Sequence, residues 1–284
     1  MAPSPIIKAL LGLISLILSM ISFNIRLKKH IADLSSYLCV GLDISPESLG
    51  SSSSLSQCID HTNRVIDATI DLAVAFKPNL AFFEQWGSAG YKWLEDTMVY
   101  INNKTLTIAD GKRGDIGNTA EKYAQSIFDH FGFDAATVNP YMGEDAIIPF
   151  IKRPDRGAFI LCKTSNLSSD NFQNSENGQK HMFELVAKKS VALNSMENVG
   201  LVVGATIAEE IRTVRHIAPE LPFLIPGVGA QGGDLEKSMK YGNKNGLALI
   251  SVSRGIIFSG DMTEKTIRST AKDYKDKMMD LVHG

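Results

Sequence analysis

The sequence predicts an α/β protein built as one closed (β/α)₈ barrel, and three observations favour this fold class. Eight short apolar runs recur along the chain. Longer amphipathic stretches separate them, which is the pattern of buried parallel strands joined by crossover helices. The length of 284 residues fits one barrel of roughly 250 residues, although it also allows two domains of about 100 to 200 residues. Because eight parallel strands can close with no unpaired edge, the eight runs favour the barrel.

The eight apolar runs give the predicted strands. In chain order these are Leu38 to Asp43, Ala73 to Pro78, Thr105 to Asp110, Ala135 to Asn139, Ala158 to Lys163, Gly200 to Ala205, Pro222 to Pro226 and Leu247 to Ser253. An amphipathic helix is predicted over Phe23 to Leu34, ahead of the first strand.

Two crossover segments carry helical stripes of apolar side chains, which we predict to pack in the core and not to bind a cofactor. Glu121 to Phe131 carries Tyr123, Ile127, Phe128 and Phe131, and His181 to Leu193 carries Phe183, Leu185, Val186 and Val191. The serine-rich tract Ser51 to Ser54 and the polar tract Asn166 to Gln179 fall inside the strand-helix alternation. We therefore predict that both tracts are loops and not domain linkers.

Composition narrows the function class. The chain has 29 Lys and Arg against 31 Asp and Glu, and 44% of it is hydrophobic. This balance argues against a nucleic-acid surface and against global disorder. The three cysteines, Cys39, Cys58 and Cys162, cannot all pair with one another, which favours a reducing cytoplasm. No two of the six histidines are four residues apart, so we expect no zinc site.

The amino terminus differs in composition from the rest. An apolar stretch runs from Ala9 to Phe23, with Lys8 before it and Arg26 shortly after it. At about 15 residues it is short for a membrane span, and no Ala-x-Ala cleavage site follows it. We predict an extension over residues 1 to 22 and one catalytic barrel domain over 23 to 284. A start codon assigned too early, with Met20 as the alternative start, a membrane tether and a signal segment all stay open for the extension.

Polar residues stand where the predicted strands end, and barrel enzymes place their chemistry at the carboxyl ends of the strands. For any one of them, a solvated loop charge or a helix cap is the simpler interpretation, but together they indicate a site. They are Asp43, Lys77, Asp110, Lys112, Asp115, Asn139, Ser165, Gln231 and Arg254.

The densest charge cluster follows the third predicted strand. Asp110 and Lys112 are two residues apart, so they share a face if the strand continues. Asp115 is a further candidate, although it and Thr119 could also cap the next helix. Lys77 ends the second strand, where Pro78 stops it. Such ions can share a partly desolvated pocket at zero net charge, and they suit a reaction in which a substrate carbon becomes negative.

A glycine-rich segment follows the seventh strand. Gly227, Gly229 and Gly232 have the Gly-x-Gly-x-x-Gly spacing of dinucleotide sites, but the segment lies late in the chain and no acidic residue follows about 20 residues on. In a barrel, the loops after strands seven and eight instead bind phosphate. We expect Arg254 to hold the phosphate in a bidentate manner and Gln231 to be a second donor. The substrate is then a phosphate monoester.

These motifs together resemble the orotidine 5'-phosphate decarboxylase family, in its longer bacterial type, from about residue 23 onward. The resemblance runs through Leu38-Cys-Val-Gly-Leu-Asp43, Phe76-Lys-Pro-Asn79, Asp110-Gly-Lys-Arg-Gly-Asp-Ile-Gly-Asn-Thr119, Val138-Asn-Pro-Tyr141, Lys163-Thr-Ser-Asn166, Pro226-Gly-Val-Gly-Ala-Gln231 and Ser253-Arg254-Gly255. It implies a TIM barrel of the ribulose-phosphate-binding type. It also implies a cofactor-independent lyase that forms UMP and carbon dioxide, in pyrimidine biosynthesis.

The resemblance implies a role for each matching residue. Lys112 would donate a proton to carbon six of the ring, and Asp110 would lie against the departing carboxylate. Lys77 would hold the ribose and the charge network, and Asp43 would bind ribose hydroxyls. Ser165 would contact the pyrimidine edge. Gln231 and Arg254 would bind the phosphate. The residues matching Asp115 and Thr119 come from a neighbouring subunit in the family, which implies a homodimer.

Three alternatives remain at this point. A magnesium-dependent keto-gulonate phosphate decarboxylase or hexulose phosphate synthase has the same Asp-x-Lys-x-x-Asp motif, but carries an acid where this chain has Lys77, and a cation there repels a divalent metal. An NADP-dependent reductase would use Gly227 to Gly232 together with Arg254. A non-catalytic phosphosugar-binding barrel would lack at least one of the four charged residues.

Overall fold

The computed structural model describes residues 21–50, 53–178, 180–229 and 232–283, and in them eight parallel strands close into a barrel. The fold-class prediction is confirmed. The barrel strands are β1 (Leu38–Leu42), β2 (Ala75–Pro78), β3 (Leu106–Arg113), β4 (Ala135–Val138), β5 (Gly157–Lys163), β6 (Val199–Val203), β7 (Phe223–Pro226) and β8 (Ala248–Val252).

Each strand pairs with the next in sequence, and β8 closes the sheet on β1 through pairs such as Leu38 with Ile250. Seven strands begin and end within two residues of the predicted bounds. The exception is β3, which continues to Arg113 and not to Asp110 because its register with β4 shifts between Ala109 and Arg113. A bulge of this kind lets a strand continue while it re-aims its side chains.

The helices surround the barrel. They are α1 (Phe23–Leu34), α2 (Pro46–Leu49), α3 (Leu55–Thr69), α4 (Leu80–Glu84), α5 (Ser88–Ile101), α6 (Gly117–Gln125), α7 (Ile148–Ile151), α8 (Met182–Leu193), α9 (Ala208–Ile217), α10 (Leu235–Gly242), α11 (Arg254–Ile257) and α12 (Glu264–His283). Helix α1 has the predicted bounds.

Helix α1 covers the amino ends of the strands. Its buried side chains Phe23, Leu27 and Ile31 pack against inward-facing strand residues, among them Phe159. Phe23 lies so close to Gly157 that a β-carbon there would come within 2.3 Å of the phenyl ring. The end of the barrel opposite to the polar strand ends is therefore closed by apolar packing.

Three local predictions need correction. The segment predicted as one helix over 121 to 131 is the end of α6 followed by a π-helical turn, Ser126–His130. In the two apolar stripes, Tyr123 and Val191 are exposed, so they are not core residues. The tract Asn166 to Gln179 is more than a loop, because it contains a 3₁₀-helix, Leu167–Asn171, and one strand, Glu176–Asn177, of a two-stranded hairpin completed by Lys180–His181. The described part of the serine-rich tract, Ser53 and Ser54, lies outside helices and strands as predicted, and Ser54 caps α3.

The structure also bears on the sequence-based expectations for cysteines and membranes. All three cysteines are buried and free. Within the described residues, no helix combines the length and apolarity that a membrane crossing requires. The extension predicted for residues 1 to 22, with Met20, lies outside the described residues apart from Ile21 and Ser22, and Ser22 caps α1 through its hydroxyl.

Candidate active site

A cavity of 670 Å³ opens where the strands end at their carboxyl termini. Six of the predicted site residues line it. These are Asp43, Lys77, Asp110, Lys112, Ser165 and Arg254. The walls also include polar groups that the sequence analysis did not single out, namely Asn79, Thr137, Thr164, Gln173, Ser251 and Ser253.

A chain of alternating charges forms the floor of this cavity. The Lys77 Nζ atom lies 2.5 Å from Asp110 Oδ2, and the Lys112 Nζ atom lies 2.7 Å from Asp110 Oδ1. Lys77 and Asp110 are buried, with exposed fractions of 5% and 8%. The Lys112 side chain is 51% exposed. Lys77 is thus enclosed, while the ammonium of Lys112 faces the open part of the cavity.

The backbone of β3 places Lys112 beside Asp110. Lys112 has φ of 45°, in the left-handed region that side chains other than glycine rarely adopt. Two contacts of Thr137 in β4 hold this conformation. Its Oγ1 atom accepts the main-chain N–H of Lys112 at 2.9 Å and donates to Asp110 Oδ1 at 3.0 Å. The strained residue is therefore fixed by the neighbouring strand.

The charges stabilise one another. Burial alone would lower the pKa of Lys77, but the carboxylates of Asp110 and Asp43 raise it above its ordinary value. Burial would raise the pKa of Asp110, but the two ammonium groups hold it well below its usual range. Asp110 is therefore an anion and Lys77 a cation at neutral pH. Asp43 keeps a buried Oδ1 atom that has no hydrogen-bond partner among the described residues.

The glycine-rich segment and Arg254 lie on another wall. Gly227 and Gly229 have φ of 102° and 80°, and Gly233 N donates to Gly227 O at 3.0 Å, so the chain folds back on itself after β7. Arg254 begins α11 and is exposed to the cavity. Within the described part of the chain its guanidinium has no hydrogen bond or ion pair. Gln231 lies outside the described residues.

The loop after β5 forms a third wall with Thr164, Ser165, Asn166 and Gln173. The side-chain amide of Gln173 holds Thr164, since its Oε1 atom accepts Thr164 N at 2.8 Å. The polar tract that begins at Asn166 therefore contributes to the site.

Three predicted site residues do not line the cavity. Asp115 accepts the N–H of Ile116 through Oδ1 at 2.8 Å, and Asn139 accepts the N–H of Tyr141 through Oδ1 at 3.0 Å. Thr119 is exposed in the first turn of α6. The N-cap of α6 is Ile116, with no side-chain capping bond, so neither Asp115 nor Thr119 caps this helix.

Thr137 was not among the predicted site residues, although the sequence carried one signal for it. In β4, position 137 shares a face with Ala135, which packs inside the barrel. A threonine at an inward-facing position near the carboxyl end of a strand points toward the mouth. As for metals, no group of three or more His, Cys, Asp and Glu side chains is arranged to hold an ion in residues 21–50, 53–178, 180–229 and 232–283.

A closed barrel with ionised side chains at the carboxyl ends of its strands is the construction of a (β/α)₈ enzyme. Comparison with known proteins makes the class specific. The family described as "Orotidine 5'-phosphate decarboxylase / HUMPS family" matches residues 36–268. The chain is 44% identical over 254 residues to orotidine 5'-phosphate decarboxylase of Dehalococcoides mccartyi, covering 87% of this chain and 92% of that one.

Other relatives agree. Orotidine 5'-phosphate decarboxylase of Natronomonas pharaonis is 46% identical over 250 residues, covering 84% of this chain and 90% of the relative. Among solved structures, Leishmania donovani OMP decarboxylase superposes with a TM-score of 0.83 at 35% identity, covering 93% of this chain and 100% of that one. L. donovani UMP synthase gives a TM-score of 0.84 at 38% identity, but this chain covers only 56% of its length. The chain belongs to the orotidine 5'-phosphate decarboxylase family, a family of carboxy-lyases.

Proposed function

We propose that this chain converts orotidine 5'-phosphate to UMP and carbon dioxide, as its relatives' names indicate, with its own side chains as the only catalytic groups. The observation that carries the proposal is the Lys77–Asp110–Lys112 charge chain, which lies on the floor of the cavity that Arg254 also lines. Fixed charges of alternating sign, with an ammonium at each end, are suited to a carbanion that forms and is then protonated.

Asp110 acts on the substrate carboxylate. Since its low pKa keeps it ionised, a substrate carboxylate bound beside it meets a fixed negative charge. The bond from carbon six to the carboxyl carbon breaks, carbon dioxide leaves as a neutral molecule, and the electron pair stays on carbon six. The repulsion in the bound substrate is relieved as the transition state forms, which lowers the barrier.

Lys112 supplies the proton. Its ammonium lies 2.7 Å from Asp110 Oδ1 and its side chain is half exposed, so it can stabilise the carbanion and then transfer a proton to carbon six. Lys77 is enclosed and fixes Asp110 from the other side. The unpartnered Oδ1 atom of Asp43 is suited to accept a ribose hydroxyl.

The substrate phosphate lies at the glycine-rich turn after β7, next to Arg254. Tight backbone turns at Gly227 and Gly229 bring main-chain N–H groups close to a bound anion, and a guanidinium can hold two phosphate oxygens at once. Gln231 remains the expected second donor. Ser165 remains the residue expected to contact the pyrimidine edge.

The proposal includes a homodimer that shares its sites. Asp115 and Thr119 are outside the cavity of their own chain. Large apolar side chains are exposed on the loops around the same end of the barrel, and this supports a second copy as the partner. These are Ile116, Tyr141, Met142, Leu167 and Phe172. Asp115 and Thr119 would then complete the cavity of the partner subunit.

Mixing two inactive variants tests the shared site. Lys112→Ala and Asp115→Asn homodimers are expected to be inactive, and random exchange of subunits should restore about a quarter of the wild-type sites, because each mixed dimer regains one. No recovery after verified exchange would place Asp115 in the site of its own chain. Sedimentation of the wild-type protein gives the oligomeric state directly.

The proposal places the barrel domain, residues 23 to 284, in the cytoplasm, supported by three cysteines that are buried and unpaired. Fractionation of cells that express the full chain tests this. Recovery of the enzyme with membranes would instead favour a tether in residues 1 to 22.

The central experiment supplies orotidine 5'-phosphate to metal-free protein and measures UMP. We expect turnover that a chelator does not change, whereas a requirement for magnesium would favour the keto-gulonate phosphate decarboxylase alternative. Lys112→Ala should abolish turnover while UMP still binds, because the phosphate contacts remain. Arg254→Ala should mainly raise KM. Normal turnover by Lys112→Ala would remove that lysine from the chemistry, and binding of NADP would favour the reductase.

A further inference from the structure

Lys163 is a buried cation that the mechanism above does not use. It ends β5, its side chain is 1% exposed, and it is not among the residues that line the cavity. Its Nζ atom donates to Ser169 Oγ at 2.9 Å and to Asp170 Oδ1 at 2.7 Å. Both acceptors belong to the 3₁₀-helix Leu167–Asn171. The ammonium of Lys163, at the end of a barrel strand, thus holds a 3₁₀-helix that lies outside the barrel.

The same turn is connected to the cavity wall. Ser169 N donates to Asn166 O at 2.9 Å, and Asn166 lines the cavity. Two residues after the turn, Gln173 Oε1 accepts Thr164 N at 2.8 Å and Gln173 Nε2 donates to Thr164 Oγ1 at 2.9 Å. The segment from 164 to 173 is therefore closed into a ring of hydrogen bonds with Lys163 at its base.

Ser165 lies at the inner edge of this ring. On its other side is Gly204, whose N–H donates to Lys163 O at 2.9 Å. A β-carbon at Gly204 would come within 2.8 Å of the Ser165 β-carbon, so no space separates them. Movement of the turn would change where Ser165 stands in the cavity. Because an ammonium buried to this degree is costly to leave without its acceptors, the turn stays docked on β5.

We propose that Lys163 is a positioning residue for substrate selection, which holds the segment 164–173 so that the wall recognises the pyrimidine base. The inference rests on the proposed function. It assigns base recognition and phosphate recognition to separate supports. The glycine-rich turn and Arg254 follow β7 and β8, and in the part of the chain that the structure describes the Lys163 ammonium bonds to neither.

The test compares two ligands by titration calorimetry. UMP contains the pyrimidine base, the ribose and the phosphate, whereas ribose 5-phosphate contains only the ribose and the phosphate. Lys163→Met keeps the length of the side chain and removes the charge. We expect its Kd for UMP to rise about tenfold or more, while its Kd for ribose 5-phosphate stays within about twofold of wild type. The matched control is Lys272→Met, which removes a lysine from an exposed pair with Asp276 and should change neither value.

The possible results distinguish a failure of the proposed function from a failure of the role proposed for Lys163. Wild-type protein that fails to bind UMP would overturn the proposed function and this inference with it. Wild type that binds UMP, with Lys163→Met binding it equally well, would overturn the inference alone. Equal weakening of both ligands would also overturn it, because a general structural defect is not selective.

A second variant covers the case in which Lys163→Met does not fold. Ser169→Ala/Asp170→Ala keeps the lysine and removes its two side-chain acceptors, and the Asp170 side chain is 66% exposed. We expect the same selective weakening of UMP binding, to a smaller extent of about threefold. Unchanged UMP binding in this variant would overturn the inference.

Discussion

Replacing Asp110 by asparagine tests the electrostatic core of the site without substrate. The carboxylate accepts from two ammonium groups and from Thr137. Asparagine keeps one acceptor oxygen but no charge, so Lys77, which is 5% exposed, loses its closest counter-ion. Removing one partner from a buried pair costs about 3 to 5 kcal/mol, and we expect the lower end because one hydrogen bond remains. The half-exposed Lys112 adds little after solvent screening.

The assay is urea unfolding followed by tryptophan fluorescence. A loss of about 3 kcal/mol would lower the urea midpoint by about 1 M if the m-value is about 3 kcal/mol/M. The matched control is Asp276→Asn, the same substitution in an exposed pair with Lys272, which should cost about 0.5 kcal/mol or less. A difference between Asp110→Asn and wild type of less than about 1 kcal/mol at pH 7 would refute the reasoning.

The pH dependence provides a second check. Because the pKa of Asp110 is lowered in the folded state, its stabilisation is fully present above the unfolded carboxyl pKa of about 3.9 and is lost as pH falls toward the folded pKa. The pKa of Lys77 is raised in the folded state, so the stabilisation from its ammonium is fully present below the unfolded lysine value of about 10.4 and is lost only as pH rises above it. The difference in unfolding free energy between wild type and Asp110→Asn should thus be constant from about pH 5 to 9. Below about pH 4 it should decrease, by at most about 1.4 kcal/mol per pH unit. If the stability difference between wild type and Asp110→Asn does not become smaller below about pH 4, the stabilisation does not come from ionised Asp110.

Three further predictions concern other parts of the barrel. Thr137→Val should lower kcat about tenfold with KM within about twofold, because the bridge between the two charged neighbours is lost; steady-state kinetics checks this, and an unchanged kcat would contradict it. Arg215 is buried, donates to the carbonyl groups of five residues and lies over an aromatic ring. Arg215→Met should therefore lower the free energy of unfolding, measured in urea, by at least about 3 kcal/mol. A loss below about 1 kcal/mol would contradict this. Burial raises the pKa of the Cys39 thiol to about 12 and also raises the pKa of Cys58 and Cys162, so a thiol reagent at pH 8 should modify none of them before unfolding and all three afterwards; rapid labelling of folded protein would show an open thiol.

The strands could be predicted from the sequence because most are buried throughout. In β1 and β6 all five residues are buried and none is polar, which produces an unbroken apolar run. The continuation of β3 could not be predicted, since it depends on Lys112 in a left-handed conformation that Thr137 holds from another strand. Tyr123 was misassigned because an apolar stripe does not show that Arg113 covers the ring, with the guanidinium 5.1 Å from its centre.

The candidate site was predictable to the extent that its residues end strands. Asp43, Lys77, Asp110 and Arg254 converge because all eight carboxyl ends meet at one mouth. Gln173 was missed because it reaches the cavity from a polar tract whose 3₁₀-helix is held on β5 by the Lys163 ammonium, a contact that the local sequence pattern does not show.

The position of α1 has a practical consequence. Phe23 and Asn24 donate main-chain hydrogen bonds to Pro154 and Glu197, in loops that lead into β5 and β6, so the chain enters the barrel at the face opposite the cavity. An enzyme coupled to a resin or electrode through a tag ahead of this helix would keep its mouth turned toward the solution. Such a preparation should retain substrate access even on a densely loaded support.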